Sequence, residues 1–233
     1  MKKKQSKLLI LGLALEIALP FALWPSQAIA ADSTYPHMAP LHQYLMPESS
    51  EIALARSAAP RAISAQATVM VLTRHGYSTA VNGRNGFLCI VERSWGHATI
   101  NRAFWNPKMR APICFNPSAA KSFAPIYFLK TNLVLADKSR VAIARALASA
   151  FHRRALPALE PGAMCYMMSK EQYLGDRVKN WHPHLMFFVS GSATRSWGAN
   201  LPGSPVIALN DPEERATIFL VLVNHWSDGT PAP

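Results

Sequence analysis

Two histidines one residue apart, His182 and His184, are the residues whose types and spacing most suggest chemistry in this sequence. They stand in the stretch NWHPHLMFFV, at the start of an apolar run. In an extended strand, side chains two residues apart point to the same face, with Cα atoms about 7 Å from each other. That arrangement suits two ligands of one zinc or iron ion, so the pair predicts a metal site.

A catalytic metal site also needs a further protein ligand and an open coordination position. Only the fold could bring one of these distant side chains to the pair: His75, His97, His225, Glu92 and Asp176. A metal held there would lower the pKa of a bound water, which is the chemistry of a metal-dependent hydrolase. The alternative is a strand end whose histidines bond backbone groups or stack on Trp181, and Pro183 favours it because proline cannot donate to a strand ladder.

A second candidate is the tripeptide Arg74-His75-Gly76, which directly follows the apolar run ATVMVLT. It resembles the signature of the histidine phosphatase superfamily, in which the histidine is phosphorylated and the arginine holds the phosphate. The resemblance implies a phosphohydrolase that uses Arg74 and His75. The chain departs from that family after the motif, where a second strand pattern replaces the expected loop and helix, and no later stretch matches the family's second arginine and histidine.

The three cysteines have different predicted roles. Cys89 and Cys114 bracket a segment rich in tryptophan and proline. A disulfide between them would restrict the unfolded chain and so stabilise the folded protein by roughly 3 kcal/mol. The other two pairings remain open, because connectivity cannot be read from sequence. Cys165 is a candidate nucleophile beside His184, but its apolar surroundings, MCYMM, favour a packed thiol over the electropositive setting that a reactive thiolate needs.

Three tryptophans near loop residues, Trp181, Trp197 and Trp226, are candidate ligand-binding residues. Tryptophans beside glycine, asparagine and proline can form the floor of a ligand cleft. They can equally cap the ends of a small core. The sequence leaves both interpretations open.

The first thirty residues have the three parts of a secretory signal peptide: a lysine-rich start, an apolar stretch and the small-x-small sequence Ala28-Ile29-Ala30. The apolar stretch contains Glu16 and Pro20 and is short for a membrane-spanning helix, which needs roughly 20 apolar residues. We therefore expect residues 1–30 to be removed and residues 31–233 to form a periplasmic or secreted bacterial protein, with no transmembrane segment after cleavage.

The formal net charge of the chain is +11. Its lysines and arginines are scattered, with no polybasic tail and no recognisable nucleic-acid motif, so we do not expect nucleic acid as a partner. For an exported protein, the charge predicts attraction to an anionic envelope component. The alternative is that the charge only keeps the protein soluble.

The elements that must position these residues predict an α+β fold. Residues 31–46 are expected to be a loose N-terminal arm, followed by helices over 48–59 and from Asp137 to about Arg154. Strand patterns, mostly joined by hairpin-length links, predict a mainly antiparallel sheet of about seven strands with two or three helices packed on it. One of these links is a predicted hairpin turn at 82–86, and residues 95–117 are expected to be irregular.

Several phrases are similar to those of an uncharacterised family of bacterial exported proteins: NGFLCIVER (85–93), APICFNP (111–117), PGAMCYMMS (161–169), WHPHLMFF (181–188) and WGANLPGSP (197–205). The resemblance implies one domain over residues 31–233 and an exported location, but no activity, substrate or cofactor. The sequence therefore favours a non-enzymatic module that binds an envelope component or a small ligand. The two hydrolases described above, metal-dependent and phosphatase-like, are the alternatives.

Overall fold

Eight β-strands form one sheet within residues 34–232, the part of the chain that the computed structural model describes. The strands are β1 (Thr68–Thr73), β2 (Gly76–Val81), β3 (Leu88–Glu92), β4 (Ala111–Phe115), β5 (Met164–Met167), β6 (His184–Ser190), β7 (Val206–Asp211) and β8 (Ala216–Leu222). Their order is β2-β1-β3-β4-β5-β6-β8-β7, and every neighbouring pair is antiparallel except β1 with β3. The α+β class and the mainly antiparallel sheet are confirmed, although the sheet is mixed and has one strand more than predicted.

Helices cover both faces of this sheet. Within the described residues there are five α-helices: α1 (Glu48–Arg56), α2 (Arg61–Ser64), α3 (Pro117–Ser122), α4 (Ala124–Leu135) and α5 (Arg140–His152). Helix α1 packs on one face, against β1, β3 and β4, while α3 and α4 lie against the opposite face and α5 packs on α4. None of the described helices is both long and apolar enough to cross a membrane.

The expected number of two or three helices is too low, mainly because α3 and α4 give weak signals in the sequence. The residues of α4, APIYFLKTNLVL, are apolar around most of the helix circumference, so the periodicity of an amphipathic helix is missing. The following helix starts later than predicted. Ser139 is its N-cap, accepting a hydrogen bond from the Ala142 backbone N–H, whereas Asp137 has a left-handed φ of 55° in the preceding turn.

The link at 82–86 is not the hairpin turn that its glycine and asparagine residues predict. The tight hairpin joins β1 to β2 instead, with Thr73 opposite Gly76, and β3 runs parallel to β1 on the other side. The link crosses the start of β1 so closely that a Cβ atom on Gly83 would lie 2.1 Å from the Thr68 backbone nitrogen. Glycine and asparagine serve this close crossing rather than a turn between neighbouring strands.

The N-terminal segment is not a loose arm where the structure describes it, from residue 34 onward. Tyr44 is fully buried in the main core and donates a hydrogen bond of 2.8 Å to the Trp105 backbone carbonyl. Tyr35 donates a bond of 2.5 Å to Asp176. The described residues belong to one compact unit, Ser33–Pro233, and the predicted signal peptide lies outside them.

The predicted disulfide between Cys89 and Cys114 is present. The two cysteines lie directly opposite each other on β3 and β4, on the face covered by α1. Strand β4 itself was not expected, because its residues lie within a segment full of tryptophan, asparagine and proline. The disulfide therefore links two neighbouring central strands of the sheet.

Candidate ligand-binding cavity

A cavity of about 370 Å³ lies between the sheet and the segment that follows β3. Its floor is apolar, with Met167, Met186, Phe188, Ile218 and Leu220 from β5, β6 and β8. Its polar lining consists of Glu92, His97, His184, Asn210, Asp211 and Glu214. An apolar cavity with a few polar groups is the usual form of a small-molecule site.

The alternation of side chains along the strands decides which residues face this cavity. His184, Met186 and Phe188 of β6 point to the cavity side, and their neighbours on β8 continue the same floor. The residues between them, such as Phe187, point to the other face and join a separate apolar cluster. Strand β6 is apolar at nearly every position, and its residues therefore contribute alternately to two different surfaces.

Glu92 differs from the other carboxylates of the cavity in its hydrogen bonding. It is the last residue of β3, after four fully or nearly fully buried residues, and its side chain is open to the cavity. No group among residues 34–232 donates a hydrogen bond to its oxygens. Burial raises the pKa of Glu92 to about 8, helped by the charge of Glu214 and partly offset by Lys130. At neutral pH this carboxyl group is therefore mostly protonated and neutral.

The segment after Glu92 is held against α4 by several hydrogen bonds. The buried indole of Trp95 donates to the Thr131 hydroxyl at 2.9 Å, and the Arg93 backbone N–H donates to the Tyr127 hydroxyl at 2.5 Å. Glycine is required at position 96, because a Cβ atom there would lie 2.8 Å from the Tyr127 ring and 3.2 Å from Glu92 Oε2. This close fit fixes the wall of the cavity beside the Glu92 carboxyl group.

Lys130 of α4 ties this wall to the β7–β8 turn. Its fully buried ammonium group donates to the backbone carbonyl of His97 at 2.9 Å, to that of Gly96 at 3.3 Å and to Glu214 Oε1 at 3.1 Å. An ammonium group has three donors, so these acceptors satisfy it. Lys130 is thus a structural cation behind the cavity and is not one of its lining residues.

The β7–β8 turn supplies the other two carboxylates of the lining. Asp211 accepts hydrogen bonds from the backbone N–H groups of Glu213 and Glu214, each at 2.9 Å, which shapes the turn. Glu214 is paired with Lys130 as described, although burial raises its pKa. Both carboxylates therefore already have partners in the fold.

The two histidines of the cavity are neutral at physiological pH. Burial, together with the charge of Lys130, lowers the pKa of His97 to about 4. Burial also lowers the pKa of His184, whose Nδ1 lies 2.8 Å from the carbonyl oxygen of His182. The ring of His184 stands edge-on to Trp181, with 4.8 Å between the ring centroids. The cavity thus offers neutral hydrogen-bonding groups around an apolar floor.

The structure places only one of the two histidines that the sequence pairs as metal ligands within a strand, and both rings stand edge-on to Trp181. Strand β6 begins at His184, so His182 lies before the strand and is exposed, whereas His184 is buried. Within residues 34–232, no group of three or more His, Cys, Asp or Glu side chains has the geometry to hold a metal ion. The two histidines therefore do not project from one strand as expected, and the described residues bring no third ligand to them.

The three candidate tryptophans do not converge on one surface. Trp181 lines the cavity. Trp197 is 53% exposed and stacks on Phe219, which belongs to the other face of the sheet. Trp226 is buried beside the end of the chain, where its backbone N–H donates to Thr230. Only Trp181 is placed to contact a ligand in the cavity.

Arg74 and His75 are the two exposed residues of the tight β1–β2 turn, beside the outermost strand of the sheet. Neither of them lines the cavity. The backbone N–H of His75 donates to the Thr73 hydroxyl, which is a local turn contact. This placement gives the phosphatase-like interpretation no converging groups.

Cys165 is a fully buried free thiol on β5. It lies on the same side of the sheet as His184, opposite Met186. Burial raises the pKa of its thiol well above the usual value, and the charge of Glu92 adds to the effect. A thiol held in its protonated form lacks the property that makes a cysteine nucleophilic.

Local sequence patterns do not identify several residues of the cavity and its wall as parts of one site. Glu92 and His97 are predicted from such patterns only as distant metal ligands, and the sequence does not identify Asp211 and Glu214 of the lining, or Lys130 behind it, as site residues. One signal exists in retrospect: glutamate at the end of FLCIVE and lysine within IYFLKTNLV are charged residues in otherwise apolar elements. Comparison of the chain with protein-family models, curated proteins and solved structures finds no match.

Proposed function

We propose that this chain is an exported bacterial protein without enzymatic activity, which binds a small, mostly apolar molecule in this cavity. The observation that carries the proposal is the combination of an apolar floor with an unpartnered carboxyl group, that of Glu92. Glu92 is half-buried, and a bound molecule that donates a hydrogen bond to its carboxyl group would supply the partner that the described fold does not. The disulfide and the signal-like start of the chain support an exported location.

The size of the cavity limits the ligand to a small molecule. A volume of about 370 Å³ is at the lower end of the usual range for small-molecule sites.

A second cavity of about 620 Å³ shares Phe123 and Glu214 with the first. Phe123 stacks on Phe188 with 3.8 Å between the ring centroids, so this aromatic pair stands at the junction of the two cavities.

The hydrolase alternatives receive less support. A metal-dependent enzyme needs ligands that the described residues do not bring together around His184. A phosphatase needs a pocket around His75, which lies in an exposed turn. The binding interpretation needs only the cavity and its lining.

The test is titration of the purified protein with N-phenyl-1-naphthylamine, a neutral apolar dye whose fluorescence rises in apolar surroundings. We expect saturable binding of one dye per chain. Ile218→Phe adds bulk to the cavity floor and should abolish the fluorescence rise. The matched control is Ile100→Phe, because Ile100 is 87% exposed and is not one of the lining residues, and it should leave binding unchanged.

Circular dichroism of both variants establishes that they are folded. Absence of saturable dye binding to the unmodified protein, or full binding by folded Ile218→Phe, would overturn the proposed function.

A further inference from the structure

We infer that the ligand carries a basic amine, whose ammonium group pairs with the carboxyl group of Glu92 while its apolar part lies on the cavity floor. This inference rests on the proposed binding function and adds the chemical class of the ligand. It follows from the signs of the charges that line the cavity and from which of them already have partners.

The charges of the lining differ in sign from the chain as a whole. The chain has 24 lysines and arginines against 13 acidic residues. Yet the charged residues that line the cavity are Glu92, Asp211 and Glu214, and none of its described lining residues is lysine or arginine. Acidic groups in a cavity with an apolar floor attract a cation and repel an anion more strongly than they would in water.

Among these three acids, only Glu92 is free to take a new partner. Asp211 accepts two backbone N–H groups of its own turn, and Glu214 accepts the ammonium group of Lys130. Glu92 accepts nothing from residues 34–232. Its oxygen faces the cavity beside Gly96, where the missing side chain leaves the carboxyl group accessible.

No positive group of the fold competes for Glu92. Of the two nearby cations among the described residues, Lys130 already uses its three donors on Gly96, His97 and Glu214, and Arg93 is paired with Glu51. The other titratable groups that face Glu92 are neutral at pH 7: His97 and His184 because burial lowers their pKa, and Tyr127 and Cys165 because burial raises theirs. A ligand ammonium group would therefore be the first full positive charge to reach this carboxyl group.

Pairing with a cation has a measurable consequence, which is proton release. The carboxyl group is mostly protonated at neutral pH in the empty cavity, and an adjacent ammonium group favours its ionised form. Binding of an amine that is already cationic in solution therefore transfers up to one proton from Glu92 to the buffer. A neutral ligand of the same length would release none.

The experiment compares octylamine, octan-1-ol and sodium octanoate by isothermal titration calorimetry at pH 7, in two buffers of different ionisation enthalpy. We expect octylamine to bind about tenfold more tightly than octan-1-ol, the ratio expected of one charge-assisted hydrogen bond. Its binding heat should depend on the buffer in the direction of proton release. Octanoate should bind more weakly than octan-1-ol.

Two variants locate the effect. In Glu92→Gln, octylamine should bind no more tightly than octan-1-ol, and the dependence on buffer should vanish. Glu171→Gln is the matched control, since Glu171 is exposed and outside the cavity, and it should behave as the unmodified protein.

The possible failures are distinct. If octan-1-ol binds and octylamine binds no better, or if octanoate is preferred, the amine inference is overturned and the proposed binding function stands. The same holds if Glu92→Gln retains the preference for the amine. If none of the three compounds binds, and the dye does not bind either, the proposed function itself is overturned.

Discussion

Arg93 and Glu51 form an ion pair of 2.9 Å between Nη2 and Oε1, and neither side chain has any exposure to solvent. Glu51 on α1 also accepts the Leu72 backbone N–H at 3.0 Å. Arg93 also donates to the carbonyl oxygens of Tyr44 and Val91. The pair therefore joins α1, β1 and the N-terminal segment at the end of β3, next to Glu92, and so helps to fix the cavity wall.

Removal of the acidic partner is expected to destabilise the fold strongly. Glu51→Ala leaves the Arg93 guanidinium buried without its counter-charge, which typically costs about 3–5 kcal/mol. Urea unfolding measures the change in the free energy of unfolding. The control is Glu48→Ala, which removes an exposed carboxylate from the first turn of the same helix and should cost less than about 1 kcal/mol. Equal effects of the two substitutions would contradict the role given to the ion pair.

The disulfide is expected to contribute about 3 kcal/mol, because it closes a loop of 25 residues in the unfolded chain. The double variant Cys89→Ser, Cys114→Ser should lose this amount in urea unfolding, and reductant should not destabilise it further. Titration of thiols gives a second readout. The unreduced protein should show no reactive thiol when folded and one when unfolded, that of Cys165. Two or more thiols in the unfolded, unreduced protein would contradict the pairing.

Glu92 should give the stability a characteristic dependence on pH. Its pKa is about 8 in the folded protein and near 4.5 when unfolded, so between these values the folded state binds more protons than the unfolded state. The contribution of Glu92 to the free energy of unfolding therefore falls as pH rises from about 4.5 to 8, by at most about 1.4 kcal/mol per pH unit. Glu92→Gln should lack this decline and be more stable than the unmodified protein at pH 8, while Glu171→Gln should follow the unmodified protein.

His97 should act in the opposite direction, in the acid range. Its pKa is about 4 in the folded protein and near 6.5 when unfolded, so below pH 6.5 the unfolded state binds the extra proton. The contribution of His97 to stability is present above pH 6.5 and is lost as pH falls towards 4. The difference in unfolding free energy between the unmodified protein and His97→Gln should therefore change across this range and be constant above it. A constant difference from pH 4 to 8 would contradict the burial of a neutral imidazole.

The sequence predicts the end of the sheet formed by β7 and β8 better than the end formed by β1, β2 and β3. The β7–β8 hairpin forms where the residues NDPEE separate two clear strand patterns, although β7 extends through Asp211, which pairs with Ala216. The predicted hairpin turn at 82–86 is wrong, because glycine and asparagine there favour a turn as much as a close crossing of the backbone. Local composition specifies what the backbone can do at Gly83, but only the packing of Thr68 decides which option is used.

The cavity could not be predicted from local patterns because its polar groups come from distant segments. Glu92, His184 and Glu214 meet only when β3, β6 and the β7–β8 turn are assembled. Lys130 is hidden in an apolar helix, where its partners are two backbone carbonyls and a carboxylate from far along the chain. The spacing of His182 and His184 predicts a pair of ligands, yet β6 begins only at His184, which is buried, and His182 before it is exposed.

The most direct test of the account is the location of a bound apolar molecule, observed by NMR of protein labelled with ¹³C at the methionine methyl groups. The chain has nine methionines, and Met109, Met167 and Met186 line the cavity. Addition of octan-1-ol should shift the resonances of these three residues and leave those of Met38 and Met70 in place. Shifts confined to methionines outside the cavity, or no shifts at any concentration of octan-1-ol, would contradict the account.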